Sequence, residues 1–570
     1  RPPTPKETLA LAQQATLETR EAKHEARSHA EQRSQWRSQA IEVLGSSENL
    51  DAMARSVLGR KTTFRVVDEA LIARTAERVV GVVEAARATW QIHHITAEAE
   101  RQVRVLGVHA RHHQPLVQQV IARVIRDAVK VGVDPEEGLD LPAELRRSSG
   151  ESMYQRAHSQ RYTTGKILEA EAFIRDAATA QDGAVIGGRC VDIALLESAA
   201  NGVELNPAQV GLVREFATSG ARVQLALAPA GTGKTTAMSV LSRAWRDGGG
   251  QVVAAAPTHI AVDGLRQSMD CPGGTIAGLS HALQHGGKMP AWAEKIDANT
   301  LVVVDEAGMA GTLELAGLIA HVMDRGGSVR LIGDHQQLAA VAAGGILRDL
   351  AEDNTVPVVR LDEVMRFVDH GEGEASLALR AGDPQALGFY ADRGRIHTVA
   401  EDTAPEVLCQ AWQRDIEKGW TSIMLAATNE QATQLNALAQ QYRISTGQVN
   451  NDTTALLRDG NHAGIGDIVV TRVNDKQLQI SATDWVKNRD RWEVVEVRKD
   501  GALTVKGERH GRSITLPATY VKESVELGYA GTVHAAQGVT VDSTHTLIVG
   551  TETRQTLYVA LSRGHHENHA

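Results

Sequence analysis

The stretch LALAPAGTGKTTAMSVL, residues 225–241, passes from an apolar run through glycines to helix-forming residues. Leu225–Ala228 suits a buried strand, and Gly231 and Gly233 let the backbone turn tightly with its amides facing inward. The helix predicted from Lys234 then directs its positive N-terminal end into the same hollow. This strand–turn–helix therefore predicts a binding site for phosphate groups.

The spacing is that of the P-loop, G-x-x-x-x-G-K-[ST], except that Ala228 takes the place of the first glycine. Lys234 supplies a positive charge for the β- and γ-phosphates, and the hydroxyl of Thr235 can ligate Mg²⁺. An ordinary strand–turn–helix is the alternative, but GTGKTT at this junction disfavours it. We predict that a nucleoside triphosphate contacts the loop and the first helical turn, formed by Pro229, Ala230, Gly231, Thr232, Gly233, Lys234, Thr235 and Thr236.

Composition limits the class of protein. The chain has 570 residues, 42% of them apolar, which is enough for ordinary cores, and its length suggests about three or four domains. Cys190, Cys271 and Cys409 are widely spaced and form no zinc or disulfide pattern, which fits a reducing cytoplasm. We see no apolar run of membrane-spanning length and no secretory signal, so we expect no membrane insertion. The net charge of −10 argues against a basic coat for nucleic acid, but not against a local groove.

Helical patterning dominates the first part of the chain. Residues 7–44 are polar and free of proline and glycine, which predicts one long helix or a pair. The pattern continues through Val66–Trp90 and Thr96–Lys130 and breaks near Val133–Pro135. Residues 136–205 mix short elements and connect this region to the P-loop.

The rest of the chain alternates strands with helices. Over residues 206–360 the apolar runs QVVAAAP, LVVVDEA and SVRLIGD predict a parallel sheet covered by helices. TSIMLAATN and STHTLIVG predict a second α/β domain. Between them, residues 452–521 are rich in predicted strands: GDIVVTRV, RWEVVEVRK and GALTVKG. We interpret this segment as a small β-barrel inserted into the second domain.

Acidic and amide side chains follow two of these strands. LVVVDEAGM places Asp305 and Glu306 at the carboxyl end of a strand, where an α/β sheet presents its ligands. Asp305 can hold Mg²⁺ through water, and Glu306 can act as the base that activates the attacking water. Gln337, in LIGDHQQL, is placed to sense the γ-phosphate. The order of P-loop, DE and GDxxQL predicts an enzyme that hydrolyses a nucleoside triphosphate.

With these motifs the chain resembles the superfamily 1 helicases. LNPAQVGLV resembles the Q-motif, whose glutamine, here Gln209, reads the adenine edge. AAAPTHIAVDGL resembles motif Ia, and TIAGL resembles motif Ib. LDEVMRF supplies Arg366 in the place of the motif IV arginine. YAGTVHAAQGVTVD resembles motif V, and TLYVALSRG resembles motif VI with Arg563 as its arginine finger.

The resemblance implies ATP and Mg²⁺ between two RecA-like domains. The catalytic residues would be Lys234, Glu306, Gln337, Arg366 and Arg563, with Gln209 and Gly538 beside the nucleotide and Thr235 and Asp305 on the metal. The arginines would reach ATP only when the domains close, which couples hydrolysis to movement. Single-stranded DNA would lie across both domains on Thr258, His259, Thr275, Thr428, Asn429, Thr532, His534 and Gln537.

A closer resemblance is to the helicase region of MobF-type conjugative relaxase–helicases, a superfamily 1B group. It is carried by GDIVVTRVNDKQL, VKNRDRWEVVEV, GTVHAAQGVTVDSTHTLI and LYVALSRGHHEN, and more loosely by the helical patterns before the motor. This family usually has an Asn-Gly turn in the inserted β domain; here Asn488-Arg489 stands there, so we expect a different turn geometry. By resemblance the polarity of movement would be 5′→3′.

These features together predict an α/β protein with two RecA-like parallel-sheet motor domains. We expect an N-terminal helical region at 1–150, an accessory segment at 151–205, motor domain 1A at 206–360, motor domain 2A at 361–451 and 522–570, and an SH3-like β-barrel, 2B, at 452–521. A RecD-like repair helicase and a catalytically silent single-strand-binding module are the alternatives. The intact Lys234, Glu306 and Arg563 disfavour the silent module.

A relaxase also needs a metal-binding histidine cluster and nucleophilic tyrosines. His93-His94 and His109, His112 and His113 are the candidate clusters, but they lie in polar helical patterns, where solvated histidines are common. His565, His566 and His569 follow motif VI and suggest the start of a tail. Because the chain begins at Arg1, we expect a covalently linked upstream relaxase domain in a longer protein, with the conjugation machinery as partner.

Overall fold

The computed structural model describes most of the chain: residues 28–57, 64–132, 142–147, 153, 159–338, 344–481, 484–508 and 510–570. Of the described residues, those up to 68 and residues 104–113 belong to one compact unit, and those of 69–103 and from 114 onward belong to another. None of the helices in the described ranges is long and apolar enough to cross a membrane.

The first unit contains helices α1 (His29–Leu44) and α2 (Ser47–Val57). Helix α1 begins with a capping box in which Ser28 and Glu31 exchange hydrogen bonds, and none of its residues is buried. Helix α1 therefore forms the last part of the long polar helix predicted over 7–44. Residues 7–27 of that prediction lie outside the described residues.

The second unit begins with three helices over the rest of the predicted helical pattern: α3 (Glu69–Ala86), α4 (Ile92–Arg104) and α5 (His113–Asp127). Of these helices, only the terminal residues Arg104 of α4 and His113 of α5 belong to the first unit. The continuous pattern predicted over Thr96–Lys130 is wrong. Gly107 has a φ of 69°, a left-handed conformation that a helix does not allow, and it separates α4 from α5. The break predicted near Val133–Pro135 lies outside the described residues.

Short strands and two helices connect these helices to the P-loop. Strand β1 (Val129–Val131) pairs with β2 (Arg161–Thr163), and helices α6 (Gly165–Thr179) and α7 (Gly188–Ala200) follow.

The P-loop belongs to a parallel sheet of six strands covered by helices. Its strands are β3 (Val223–Leu227), β4 (Gln251–Ala256), β5 (Gly273–Thr275), β6 (Thr300–Val304), β7 (Ser328–Gly333) and β8 (Val358–Arg360), in the order β5-β4-β6-β7-β3-β8. The helices are α8 (Pro207–Thr218), α9 (Lys234–Asp247), α10 (His259–Met269), α11 (Ile276–His285), α12 (Ala291–Glu294), α13 (Thr312–Met323) and α14 (Ile346–Glu352). Every residue of β3 and β6 is buried, because helices cover both faces, and this explains their continuous apolar sequences.

The second half of the chain contains a smaller parallel sheet. It begins with helices and a strand: α15 (His370–Ala381), α16 (Ala386–Asp392), α17 (Ala404–Glu417), β9 (Ser422–Ala426) and α18 (Asn429–Ser445). An insertion then supplies β10 (Asn450–Leu456), β11 (His462–Ile465), β12 (Ile468–Thr471), β13 (Asp475–Ser481), β14 (Asp484–Val486), β15 (Arg491–Val497), β16 (Leu503–Gly507), β17 (Ser513–Leu516), α19 (Ala518–Ser524) and β18 (Val525–Leu527). The chain returns with β19 (Ala530–Thr532), β20 (Val541–Thr546), α20 (Arg554–Ala560) and β21 (Gly564–His569).

Strands β19, β9, β20 and β21 form the second sheet in that order, and all are parallel. The predicted α/β class with two parallel-sheet domains is confirmed. The strand expected in STHTLIVG begins at Val541 and ends at Thr546, earlier than its sequence suggested.

The insertion is antiparallel. Its main sheet has the order β17-β16-β15-β12-β18, and β10–β11 and β13–β14 form two further pairs. Pairing extends from Asn450 to Leu527, slightly beyond the predicted 452–521 at both ends. Trp492 is fully buried in the core that this sheet shares with helices α17 and α18, so it packs there and does not face a ligand.

Candidate nucleotide and nucleic-acid site

The P-loop has the backbone that its glycines predict. Gly231 and Gly233 have φ values of 82° and 70°, in the left-handed region that favours glycine. A side chain at Gly231 would collide with Arg366, and one at Gly233 would collide with the amide of Gln209. Both positions therefore need glycine for two reasons, the backbone conformation and the close neighbours.

Lys234 is paired with the first acidic residue of the DE motif. Its Nζ lies 2.6 Å from Oδ1 of Asp305, which also accepts the backbone N–H of Glu306 at 2.8 Å. Burial opposes the charge on Lys234, but the carboxylates of Asp305 and Glu306 outweigh it and raise the pKa of the lysine. The lysine is therefore a full cation at the mouth of the loop.

Glu306 is held in a strained and half-buried position. Its φ of 52° is left-handed, which is uncommon for a residue with a side chain and recurs at functional sites. Burial raises the pKa of its carboxyl, although Lys234 acts in the opposite direction. A side chain at Gly538, beside the second sheet, would lie 3.1 Å from its Oε1. The arrangement suits a general base whose proton affinity exceeds that of an ordinary carboxylate.

Two arginines lie near Lys234 and Glu306: Arg366, which follows β8, and Arg563, which precedes β21. Arg563 is 2% exposed and donates from Nε to the carbonyl of Val559 at 2.9 Å and from Nη2 to the hydroxyl of Ser562 at 2.7 Å. Arg366 donates to the carbonyl of Ser562, and burial together with Arg563 lowers its pKa to about 9. Two neighbouring guanidinium groups, one buried and one half-buried, favour a polyanion between them and the P-loop.

Asp334, which follows β7, joins the two domains through side chains for which the sequence predicted no role. It accepts bonds from Arg380 at 2.8 Å and from the hydroxyl of Tyr558 at 3.1 Å, and that hydroxyl accepts the backbone N–H of Ala230 at 3.2 Å. The only sequence signals are the Asp in GDxxQL and the Tyr in TLYVALSRG.

Gln337 and Gln537 also meet across the domains. Nε2 of Gln537 lies 3.3 Å from Oε1 of Gln337, and Gln537 is 7% exposed. The structure therefore places Gln537, predicted to contact DNA, beside the predicted γ-phosphate sensor.

Gln209 supports the P-loop directly. Its Nε2 donates to the carbonyl of Thr232 at 2.9 Å, and its Oε1 accepts the N–H of Asn206 in a capping box at the start of α8. These bonds use one N–H and one lone pair of the side-chain amide, which leaves one of each for the predicted contact with adenine. The hydroxyl of Thr232 in turn donates to the carbonyl of Pro229 at 3.1 Å, so the loop is held from within.

The threonines predicted to contact DNA share a structural role. Thr258, Thr275 and Thr428 are the N-cap residues of α10, α11 and α18, and the hydroxyl of each accepts a backbone N–H of its own helix. Thr532 accepts the N–H of Ala535 at 3.3 Å in the same way. These positions therefore present helix or turn N-termini, whose free amides suit phosphate, and Asn429 begins one of the helices. Burial lowers the pKa of His259 and of His534, which favours their neutral forms.

The donors expected for Mg²⁺ fit that ion in chemistry. Thr235 is exposed on the first turn of α9, and Asp305 follows β6 with its carboxylate turned to Lys234. Hydroxyl and carboxylate oxygens are the ligands that Mg²⁺ prefers. Across the described ranges, no group of three or more His, Cys, Asp or Glu residues is placed to hold a metal, the clustered histidines included.

Comparison with known proteins gives matches in sequence. Residues 204–401 match the family model of the AAA domain. The chain is 30% identical over 350 residues to the conjugal transfer protein TraA of Agrobacterium fabrum, a match that covers 60% of this chain and 30% of that protein. It is 32% identical over 144 residues to the multifunctional conjugation protein TraI of Escherichia coli, covering 24% of this chain and 8% of that protein. The chain spans about a third of the length of the first of these curated relatives.

Solved structures with similar folds include Pif1 helicases. One, from Bacteroides in complex with ADP-AlF3 and single-stranded DNA, is 19% identical, with 63% of this chain and 90% of that chain covered and a TM-score of 0.42. Another, from Candida albicans, is 16% identical, with 64% and 94% covered and a TM-score of 0.41.

The P-loop, the two parallel sheets and the match to the AAA domain define a P-loop protein, and the order of its motifs resembles that of the superfamily 1B helicases. Within that class, the chain is related to the conjugative relaxase–helicases, and the resemblance drawn from its motifs is confirmed.

Proposed function

We propose that the chain is an ATP-dependent 5′→3′ single-stranded DNA translocase and helicase, the motor portion of a conjugative relaxase that unwinds plasmid DNA for transfer. One observation carries the proposal: a P-loop lysine, a strained and half-buried glutamate, a half-buried arginine and a buried one converge from two parallel-sheet domains. This is the set of charges that phosphoryl transfer to water requires.

The hydrolytic step follows from these side chains. Lys234 and the P-loop amides hold the β- and γ-phosphates, and Glu306 accepts a proton from the water whose oxygen attacks the γ-phosphorus. The bond to the β–γ bridging oxygen breaks, and Arg563 and Arg366 neutralise the negative charge that spreads over the transferred group. Mg²⁺, held by Thr235 and through water by Asp305, would supply further charge neutralisation when bound.

The arrangement of the domains couples ATP hydrolysis to movement along DNA. We propose motor domain 1A at 206–360, motor domain 2A at 361–451 and 522–570, an SH3-like β-barrel at 452–521, a helical region at 1–150 and an accessory segment at 151–205. Because the nucleotide would contact both motor domains, its binding and hydrolysis would change their separation. DNA held by backbone contacts at the helix N-termini of both domains would then advance without regard to base sequence.

The relatives supply the biological setting. TraA is named a conjugal transfer protein and TraI a multifunctional conjugation protein, and each is much longer than the matching part of this chain. We propose that this motor acts beside a covalently linked relaxase domain and the conjugation machinery.

The test is ATP hydrolysis with and without oligo-dT, together with unwinding of duplexes that carry a 5′ or a 3′ single-stranded tail. We expect hydrolysis to be stimulated by oligo-dT and unwinding to require the 5′ tail. Lys234→Ala should abolish both, and Lys288→Ala, at an exposed lysine, should change neither. Unwinding from the 3′ tail would overturn the polarity, and absence of DNA-stimulated hydrolysis would favour a silent binding module.

A further inference from the structure

The four-residue turn between β14 and β15, Lys487–Asp490, is held in an unusual conformation; we call it the clasp loop. Arg489 has a φ of 72°, so the arginine itself takes the left-handed conformation that favours glycine, whereas Asn488 does not. Its N–H donates to the carbonyl of Thr471 at 2.6 Å, and the hydroxyl of Thr471 donates to the carbonyl of Lys487 at 2.6 Å. Strain that surrounding bonds enforce in this way is common at functional sites.

One side of the clasp loop is fastened to the first parallel-sheet domain. Nζ of Lys487 lies 2.6 Å from Oδ2 of Asp263 on α10 and 2.9 Å from Oδ1 of Asp484. The side chain of Lys487 is only 12% exposed. Beside it, the Trp485 ring meets His259 edge to face, with centroids 6.1 Å apart. The insertion therefore reaches the helix whose N-cap, Thr258, is a predicted DNA contact.

The other side of the clasp loop faces the second domain. Nη1 of Arg489 lies 3.5 Å from the carbonyl of Ala535, in the turn that Thr532 caps. Within the described ranges, Arg489 makes no ion pair within 4 Å, although the Glu306 carboxylate acts on it electrostatically, whereas its neighbour Arg472 pairs with Glu526 at 3.4 Å. A cationic side chain in this setting suits an anion from outside the protein.

A cavity of about 670 Å³ lies under this loop. Its lining combines Ile260 from the first domain, Asn429 and Thr532 from the second, and Arg472 and Arg489 from the insertion. The three parts of the chain thus line one space, which holds predicted phosphate contacts and guanidinium groups together with the carboxylates of Glu508 and Glu526.

We propose that the clasp loop closes over single-stranded DNA in this space, with Arg489 on a backbone phosphate and the Lys487–Asp263 ion pair as the fastening. The inference rests on the proposed function, because it takes the same groove to hold DNA. A closed loop keeps the strand from leaving sideways, so it slows dissociation, and opening of the ion pair admits a strand that has no free end. The phosphate contact carries no sequence information.

The phosphate contact is tested by the salt dependence of oligo-dT binding. Arg489→Ala should weaken binding and reduce the slope of log K against log salt by about one, the value expected for one lost phosphate contact. Arg498→Ala, at an arginine of the same insertion that faces Glu496 at 3.8 Å, is the matched control and should change neither. An unchanged slope and affinity in Arg489→Ala would overturn the contact.

The fastening is tested by a double-mutant cycle on the rate at which labelled oligo-dT leaves the protein. Lys487→Met and Asp263→Asn should each speed dissociation several-fold, and the double variant should be no faster than either, because the pair is already broken. Both single variants should also bind circular single strands faster than the parent does. Lys476→Met is the control, since Lys476 lies over the same Trp485 ring at 5.8 Å but outside the ion pair.

The outcomes separate the two proposals. If the parent binds oligo-dT but the single variants dissociate at its rate, or if their effects add, the clasp is overturned and the proposed function stands. If the parent does not bind single strands, the proposed function fails and the clasp fails with it.

Discussion

At the scale of the single residue, the chemistry depends on how Glu306 is held. Its left-handed backbone places the carboxyl beside Lys234 and under Gly538. The backbone N–H of Glu306 donates to the side chain of the preceding Asp305. The two acidic side chains therefore have different surroundings and different roles. Lys234 neutralises the carboxylate of Asp305, whereas burial raises the pKa of the Glu306 carboxyl, as acid–base catalysis requires.

We expect Glu306→Gln to keep ATP binding and to reduce hydrolysis by about 10²–10⁴-fold, since the amide can hold water but cannot take its proton. Binding of a fluorescent nucleotide and phosphate release on single-stranded DNA measure the two effects. Glu352→Gln, at an exposed carboxylate, is the control. Near-parent turnover in Glu306→Gln would remove this residue as the base.

The same assignment predicts a pH profile. Only ionised Glu306 can accept the proton, and burial raises its pKa, so activity should be lost on the acid side at a higher pH than an ordinary glutamate would impose. Turnover measured against pH in the parent should show this limb, and the residual activity of Glu306→Gln should lack it.

At the scale of the element, a buried polar cluster joins helix α17 to strand β20. Asp415 accepts the hydroxyl of Ser543 at 2.5 Å, shares a hydrogen bond with the His545 ring at 2.8 Å and pairs with Lys418 at 2.9 Å. Asp415, Ser543 and His545 are nearly inaccessible to solvent. Burial opposes the charge on Asp415, but the bonds from His545 and Ser543 outweigh it and hold the pKa of the carboxyl far below its usual range.

Asp415→Ala should therefore destabilise the fold by about 3 kcal/mol, because it leaves the buried partners unsatisfied. Since the folded-state pKa is depressed, the contribution is present above about pH 4 and declines as the pH falls below the unfolded value. Urea unfolding at neutral and at acid pH measures both, with Asp402→Ala at an exposed loop position as control. A loss of stability below 1 kcal/mol at neutral pH would contradict this account of the cluster.

At the scale of the whole molecule, the two parallel-sheet domains share one site. Arg380 and Tyr558 hold Asp334, Gln537 meets Gln337, and Arg366 adjoins Gly231. Each of these pairs links residues from different domains. Any change in the separation of the domains must therefore rearrange the groups that surround the phosphates.

Arg563→Ala should leave ATP affinity largely intact and reduce hydrolysis on single-stranded DNA by about 10³-fold or more, as for arginine fingers in related NTPases. Oligo-dT binding without nucleotide should persist, because other residues form the groove. Arg366→Ala should act in the same direction but less severely. Turnover at the parent rate in Arg563→Ala would show that this arginine is not the finger.

Local sequence determined much of this protein. The glycines and lysine of the P-loop, the acidic pair after a strand and the alternation of apolar runs with helices are features of neighbouring residues, since backbone conformation and strand burial act over short spans. They predicted the phosphate cradle and the two parallel sheets, and the runs of predicted strands over 452–521 predicted a β-rich insertion. The interruption by Gly107 was missed because amphipathic periodicity alone does not reveal where a left-handed residue divides a helical pattern.

Only the tertiary structure decided which distant side chains meet. Nothing near Arg489 in the sequence indicates that it faces the turn after Thr532, and nothing near Lys487 indicates its pairing with Asp263. The same holds for Arg380 with Asp334, and for Gln537 at the nucleotide side. Such contacts depend on how the domains and the insertion pack together, and packing is a property of whole surfaces, which no stretch of neighbouring residues specifies.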